Sequence, residues 1–544
     1  MFRENNRHLQ QGAFETTQLM HPRNREIFDK SWAPFFYEYV FCRIDEKPFS
    51  VLYDPVMGKP NFPVNILIAL EYIKHMKHWT DEDLFEAFRF NSQVSYALGI
   101  RTVGGLNMAE RTLYYFRERV YRYCMENPDA EDILFSQFVN LTGSFAKKAG
   151  LSLDEQRTDT TLFTSNIKKA GRISLAHDIL AQAVKAIPDE KLTSTLAQVL
   201  EPGFKNKVLY RMREQEADGR LSMLLGLCGE ADAILGELPD VCESDAARIL
   251  HRFLDEQSAV DPVTGKLAPK PRKDISSGSL QSAFDEDATF RKKGNVSQSG
   301  YALELSETCS RDNPFQVITD YAVRPNNVSD QEIFVERMPV IKANTGCTDM
   351  YVDGGFHSDE VHKTAEENEI GIHLTNMSGT TPEKKLPVTA YEIDHDTKVI
   401  QKCPAGHAPT RSGVSGGQTS AHFPNETCNH CELQDQCHSK PQKKDAVVRI
   451  TLKAVDASRI RAEMKEDQIE NTSMRAAIEG TNSAVKRKGL DDLDVRGEAK
   501  VTVICGLKAI GQNITRFIRY MRGGYDKRKA TSSTPIGGPV PNPS

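Results

Sequence analysis

Apolar residues recur every three or four positions through most of the first 145 residues, the spacing of amphipathic helices. Pro63-Val-Asn-Ile-Leu-Ile-Ala-Leu-Glu-Tyr-Ile has that spacing. Thr80-Asp-Glu-Asp-Leu-Phe-Glu-Ala-Phe predicts a helix with Thr80 as N-cap and an acidic first turn. Glu110-Arg-Thr-Leu-Tyr-Tyr-Phe-Arg-Glu-Arg-Val-Tyr sets aromatic and basic residues on one helix. The pattern changes at Leu151-Ser-Leu-Asp-Glu-Gln-Arg-Thr-Asp159-Thr-Thr-Leu-Phe-Thr-Ser-Asn, which reads as a strand closed by the turn-prone pair Ser165-Asn166. Basic Lys168, Lys169 and Arg172 follow. Helical spacing then returns from about 173 to 260.

Residues 261–300 are rich in Pro, Gly, Ser and charge and read as an exposed connector, with Asp285-Glu286-Asp287 followed by Arg291-Lys292-Lys293. Strand-like runs begin at Tyr301 and Phe315, and a helix is expected from about Ser329 to Ala343. A short strand, Met350-Tyr-Val-Asp353, breaks at Gly354-Gly355. Ser358 opens another helix and Gly371-Ile-His-Leu-Thr another strand. Alternating strands and helices make an α/β core, and Asp353 falls at a strand's carboxyl end, where such sheets place their chemistry. After the Pro/Gly/Lys-rich stretch 377–444, Ala446-Val-Val-Arg-Ile-Thr-Leu predicts a strand leading into a long helical region. Val501 to Ile518 reads as a helix or a strand pair, and Thr531–Ser544 as a disordered tail.

At 544 residues the chain exceeds a single core. The polar start, and the lack of any run of 18 or more apolar residues, predict a cytoplasmic protein. Net charge is −6, yet from residue 471 onward 13 Lys/Arg face 6 Asp/Glu. A basic segment on an acidic body suits a polyanionic ligand, with a solvated tail as the plain alternative. Of eleven cysteines, seven are scattered and read as small packing residues in a reducing compartment.

Three acids stand out by position: Asp159 on an early strand, Asp353 at a strand end and Glu479 on a late helix, with Asp154 and Asp287 as rivals to the first. Along Arg475-Ala-Ala-Ile-Glu479-Gly-Thr-Asn-Ser-Ala-Val-Lys486-Arg-Lys-Gly, Glu479 lies about 40° and Lys486 about 20° around the helix from Arg475, and Gly489 is the stop signal. One carboxylate thus shares a stripe with two cations. An ordinary Arg–Glu pair on a solvated face gives the same pattern.

These segments resemble the DDE transposases of bacterial insertion sequences. Arg157-Thr-Asp159-Thr-Thr-Leu-Phe is similar to that family's first-Asp strand, and Val352-Asp353-Gly-Gly-Phe-His-Ser to its second-Asp strand and turn. Arg475, Glu479 and Lys486 match the signature Y-x2-R-x3-E-x6-K, with Thr472 in place of Tyr. Asn61-Phe-Pro, Trp79-Thr-Asp-Glu-Asp-Leu and Thr112-Leu-Tyr-Tyr-Phe-Arg resemble the family's helical N-terminal domain. The resemblance implies an α/β ribonuclease H-like core, a mixed sheet with flanking helices. To that core it adds an all-α N-terminal domain that binds DNA ends (1–145), a helical insert and connector (173–294), and a small Cys-rich insert (377–444). The core would comprise 146–172, 295–376 and 445–530, with 531–544 as tail.

Asp159, Asp353 and Glu479 would hold two Mg²⁺, which Mn²⁺ can replace, to cut DNA at inverted-repeat ends and join it to target DNA. Arg475 and Lys486 would contact phosphates beside the scissile bond; by charge alone, the runs Arg291-Lys292-Lys293, Lys486-Arg487-Lys488 and Lys527-Arg528-Lys529 fit non-specific phosphate contacts. A homodimer on DNA, associated with the nucleoid and not with a membrane, is implied. The Thr472 departure leaves the excision route open; Phe356 or His357 is a candidate base stack. The alternatives are a catalytically idle DNA-binding protein and a nuclease without strand transfer.

Cys403-Pro-Ala-Gly-His407, with Cys428, Cys431 and Cys437-His438, reads as a structural Zn²⁺ site, in which His407 or His438 replaces one thiolate if not all four cysteines bind. Packing cysteines are the alternative.

Overall fold

The structure, a computed structural model, describes residues 1–9, 15–127, 133–167, 171–209, 216–293, 296–375, 385–394 and 396–524; the side chains of 293, 296 and 460–470 are not described. The expectations for Lys168, Lys169, Lys527–Lys529 and the 531–544 tail lie outside the described residues.

Along the chain the main elements begin with helices α1 (Val64–Lys77), α2 (Asp81–Phe90), α3 (Glu110–Glu126) and α4 (Ile133–Ala149). Strand β1 (Glu155–Thr164) precedes helices α5 (Arg172–Ala186), α6 (Ala217–Gly236) and α7 (Asp245–Gln257). Then come β2 (Thr289–Lys293), β3 (Val296–Thr308), β4 (Ile318–Pro325), α8 (Asp330–Thr345), β5 (Asp349–Val352), α9 (Asp359–Glu367) and β6 (Gly371–Leu374). The last part holds β7 (Arg411–Ser415), β8 (Gln418–Pro424), β9 (Lys440–Pro441), β10 (Asp445–Thr451), α10 (Leu452–Arg487) and α11 (Glu498–Met521).

Local chemistry explains several boundaries. Thr80 caps α2 through a capping box with Asp83. Gly489, at φ +77°, takes the left-handed conformation that ends α10 and donates its N–H to the Lys486 carbonyl. Ser358 caps α9 by accepting from Val361 N. Two stretches differ from expectation. The connector at 261–300 contains β2 and the start of β3, because Thr289–Lys293 folds back antiparallel on Val296–Gly300. The choice left open at Val501–Ile518 resolves as one helix.

The chain is a mixed α/β protein with a six-stranded sheet in the order β2-β3-β1-β5-β6, β4 also pairing with β3. Its β1–β5 and β5–β6 pairings are parallel, whereas β2 and β4 run antiparallel to β3. Packing divides the chain into two compact units, whose boundary passes through β1 and α10.

The larger unit, 1–152 with 160–333 and 480–544, holds the N-terminal helices, α5–α7 and α11. Its α11 packs on α1 so closely that a Cβ on Gly511 would meet the His75 and Met76 backbone at 2.9 Å. Phe517 stacks on Phe145 at 4.4 Å between ring centres. Buried Asn513 bridges the backbone N–H and C=O of Ile318 and also donates to Thr142. A second apolar core joins α5–α7 through residues such as Leu180, Leu224 and Phe253, each contributing about 1.5–3 kcal/mol by burial.

The smaller unit, 153–159 with 334–479, has one core around Phe334, Met350, Val352 and Phe356 and another around Ile400, Phe423 and Val448. The second core explains why the Cys-rich stretch is ordered: β7, β8, β10 and β9 form a four-stranded antiparallel sheet with alternating buried positions on β8.

Candidate active site

Arg157 and Asp159 are two apart on β1 and share a face. Arg157 is buried, and its guanidinium donates to the Met474 carbonyl at 2.8 Å, pinning α10 one residue before Arg475. On that helix Asn471, Met474, Ile478, Thr481 and Val485 form the buried stripe, which places Arg475 beside it. Next along the chain from β5, Asp353 caps a short turn: its Oδ1 accepts from Gly355 N at 2.7 Å. A Cβ at position 355 would sit 2.8 Å from that oxygen, so a side chain there would displace the Asp353 carboxylate. Held there, Asp353 turns Oδ2 toward Arg475.

The three acids and Arg475 meet. Arg475 Nη2 lies 3.1 Å from Asp159 Oδ1 and 3.7 Å from Asp353 Oδ2, and Nη1 lies 3.4 Å from Glu479 Oε1. Exposure grades across the cluster: the Asp159 side chain is 16% exposed, Asp353 36% and Glu479 65%. The site is therefore open on the Glu479 side. The Nε of Arg475 is buried and has no hydrogen-bond partner among the described residues. Three acids around one cation at 3.1–3.7 Å show that the pocket accepts concentrated positive charge. Among the described residues no group of three or more His, Cys, Asp or Glu is arranged as a metal site; the guanidinium lies between the carboxylates.

The other expected residues fall elsewhere. Lys486 Nζ donates to the Leu162 carbonyl at 2.9 Å, an edge-on contact to β1. Arg487 is exposed. Lys488, expected to contact phosphate, instead has its Nζ buried with no hydrogen-bond partner among the described residues, and burial lowers its pKa to about 8. Thr472 is exposed. Phe356 is buried against Phe334, edge to face at 5.2 Å, so it is unavailable as a base stack. His357 Nδ1 lies 2.9 Å from His362 Nε2, and burial together with His357 lowers the His362 pKa. The Asp287 carboxylate accepts from Glu498 N at 2.9 Å, a structural contact, whereas Asp154 is exposed just ahead of β1. Arg157 is the residue that reading the sequence for acids overlooks. The signal was there, a cation two positions from Asp159 on the same strand face.

Cys403, Cys428, Cys431 and Cys437 line one small cavity with His407, Phe423 and Val448. Burial raises the Cys428 pKa, and the nearby Cys437, Cys403 and Cys431 add to the rise. Tyr391 Oη lies 3.1 Å from Cys437 Sγ. His438 Nε2 lies 2.9 Å from the Leu386 carbonyl, and His407 rather than His438 lines the cavity. The thiols share the cavity without the closed geometry of a metal centre.

Among the described residues no helix is long and apolar enough to cross a membrane. Comparison with curated proteins and with solved structures finds no match. Residues 402–518, which run from the first cysteine strand through Arg475 and Glu479 into α11, match the family described as "Transposase DDE domain". Over that segment the chain is similar to a transposase DDE domain.

Proposed function

We propose that the protein is a DNA transposase that cuts at the ends of a mobile element and joins the freed strand to target DNA. One observation carries this reading: Asp159, Asp353 and Glu479, 194 and 126 residues apart in sequence, surround a single guanidinium. A transposase DDE domain implies a ribonuclease H-like core and divalent metals. Asp159, Asp353 and Glu479 are the residues that would hold two Mg²⁺, which supply charge stabilisation at the reacting phosphate when bound. The rest of the work falls to the chain itself. Arg157 fixes α10 against β1, Gly355 fixes the orientation of Asp353, and Arg475 moves from the carboxylates to phosphate oxygens as DNA arrives. An arginine–phosphate pair is charge-assisted and forked, so the exchange replaces like with like. Exposed Arg487 adds a second phosphate contact.

Two ends must be cut in concert, so the working species is a dimer on DNA. Cys403, Cys428, Cys431 and Cys437 would hold structural Zn²⁺, a reading supported by four thiols lining one cavity beside a small core. Metal analysis of purified protein should then find one zinc per chain; stoichiometric loss of it on mutating Cys428→Ser supports the assignment, and zinc-free protein of equal stability refutes it.

The decisive experiment incubates full-length protein with DNA flanking its own coding sequence and Mg²⁺. The expected products are nicks at the ends and joined target, both absent in Asp353→Ala. Cleavage without joining would replace transposition by a simple nuclease; binding without cleavage would leave a DNA-binding protein.

A further inference from the structure

The N-terminal helical region contains an open groove of about 1070 Å³ between the N-terminal segment, the loop after Leu52 and α3. That is at or beyond the upper end for small-molecule pockets, which enclose most of their ligand. The groove is wide open, so its shape fits an extended ligand. Arg3, Arg7, Lys59 and Arg119 line it, against Glu4 and Asp54. All four cations are exposed, and no ion pair among the described residues uses any of them. Asp54 is committed to its own loop, accepting from Val56 N at 2.8 Å and Met57 N at 2.5 Å.

The nearby start of α1 is not what would hold an anion. Buried Glu46 already accepts from Val64 N and Asn65 N there, and from Asn5 N. Anion binding falls to the side chains. Helix α3 presents them at regular intervals: Arg111, Tyr115 and Arg119, four residues apart, are all exposed on one stripe. Two of its three acids are paired locally, Glu110 with Arg89 and Glu118 with Arg122; the third, Glu126, is its last residue. Arg119 is steadied by the Tyr53 ring, 4.8 Å beneath its guanidinium.

We propose that this groove seats the sugar–phosphate backbone of a DNA strand, with Arg3, Arg7, Lys59 and Arg119 as phosphate contacts and Arg111 extending the track. The choice of DNA among polyanions rests on the transposase reading; the groove's charge and shape do not.

The test measures binding of full-length protein to a fluorescent oligonucleotide across a salt series, as duplex and as single strand. Lys59→Ala with Arg119→Ala should flatten the plot of log affinity against log salt by about two and weaken binding about tenfold near 0.1 M salt. Arg3→Ala with Arg7→Ala, which leaves Tyr53 supported, should do the same. The control, Arg25→Ala with Lys30→Ala on an exposed helix outside the groove, should leave the slope unchanged. A stronger effect on duplex or on single strand identifies which form the groove takes. Groove variants that stay folded and cut DNA with the parent's slope overturn this inference and leave the transposase reading intact. Protein that binds no DNA overturns both.

Discussion

Arg117 and Arg475 each face more than one carboxylate, and they differ in nearly every other respect. Arg117 on α3 donates to Glu71 at 2.7 Å and grips Asp81 through two bonds of 2.7 Å, while Lys74 adds a fourth contact at 2.7 Å. Burial works against a charged Asp81, yet Arg117 and Lys74 outweigh it and hold its carboxyl well below the usual range. Burial also opposes the Arg117 charge, and Glu71 and Asp81 raise its pKa regardless. Arg475 is as little exposed, 14% against 15%, but its contacts are 3.1–3.7 Å and its Nε is unmatched. A guanidinium built for structure saturates its fork at short range. One that must change partners is held loosely, by acids that outnumber it.

The largest expected effect tests the loose site. Asp353→Ala should lower cleavage by at least about 10³-fold, the several kcal/mol of charge stabilisation such sites supply, with unchanged circular dichroism. Next comes the tight site. Arg117→Ala leaves Glu71 buried without its cation and should cost about 3–5 kcal/mol in urea unfolding, and no divalent ion should restore it. Arg475→Ala should cost less, about 1–2 kcal/mol in chelator, because its three acids then repel one another; millimolar Mg²⁺ should recover the loss. Equal costs for the two arginines, or equal indifference to Mg²⁺, would erase the distinction. The smallest effect is in pH. A carboxyl whose folded pKa lies below its unfolded value contributes fully above about pH 4 and less as pH falls through the folded value. Thermal unfolding should therefore weaken below pH 4 in the parent and respond less in Asp81→Asn, whereas a parallel acid limb in both would dismiss the Asp81 contribution.

Much of this was legible in the sequence, for reasons that vary by residue. Strand period and the Gly354-Gly355 break located Asp353, and helical period with Gly489 located Arg475 and Glu479. Those signals are local, and local signals survive in one dimension. Whether the three acids would meet was not readable from spacing and came only from the family resemblance. Lys488 shows the limit. Its neighbours Lys486 and Arg487 suggest a basic surface, but burial depends on what packs against the helix end, and no short-range pattern encodes that. The Pro/Gly/Lys-rich stretch kept its strands hidden for a related reason: its sheet buries only alternate residues of short strands, so mean hydropathy stays polar. The groove in the N-terminal region was invisible because its cations come from three segments.

One joint in the smaller unit sets a rule for its evolution. Strand β10 ends at Thr451 and α10 begins at Leu452, with no loop between the four-stranded sheet and the helix that carries Arg475 and Glu479. Nothing along those 23 residues can absorb a change in length. Adding or deleting a single residue there would swing the far end by about 100°, turning both side chains off the cluster. Three or four residues at a time bring the phase nearly back, displaced by roughly one turn. Homologous chains should therefore vary this segment in steps of whole helical turns, while the insert ahead of it remains free to grow or shrink by any number.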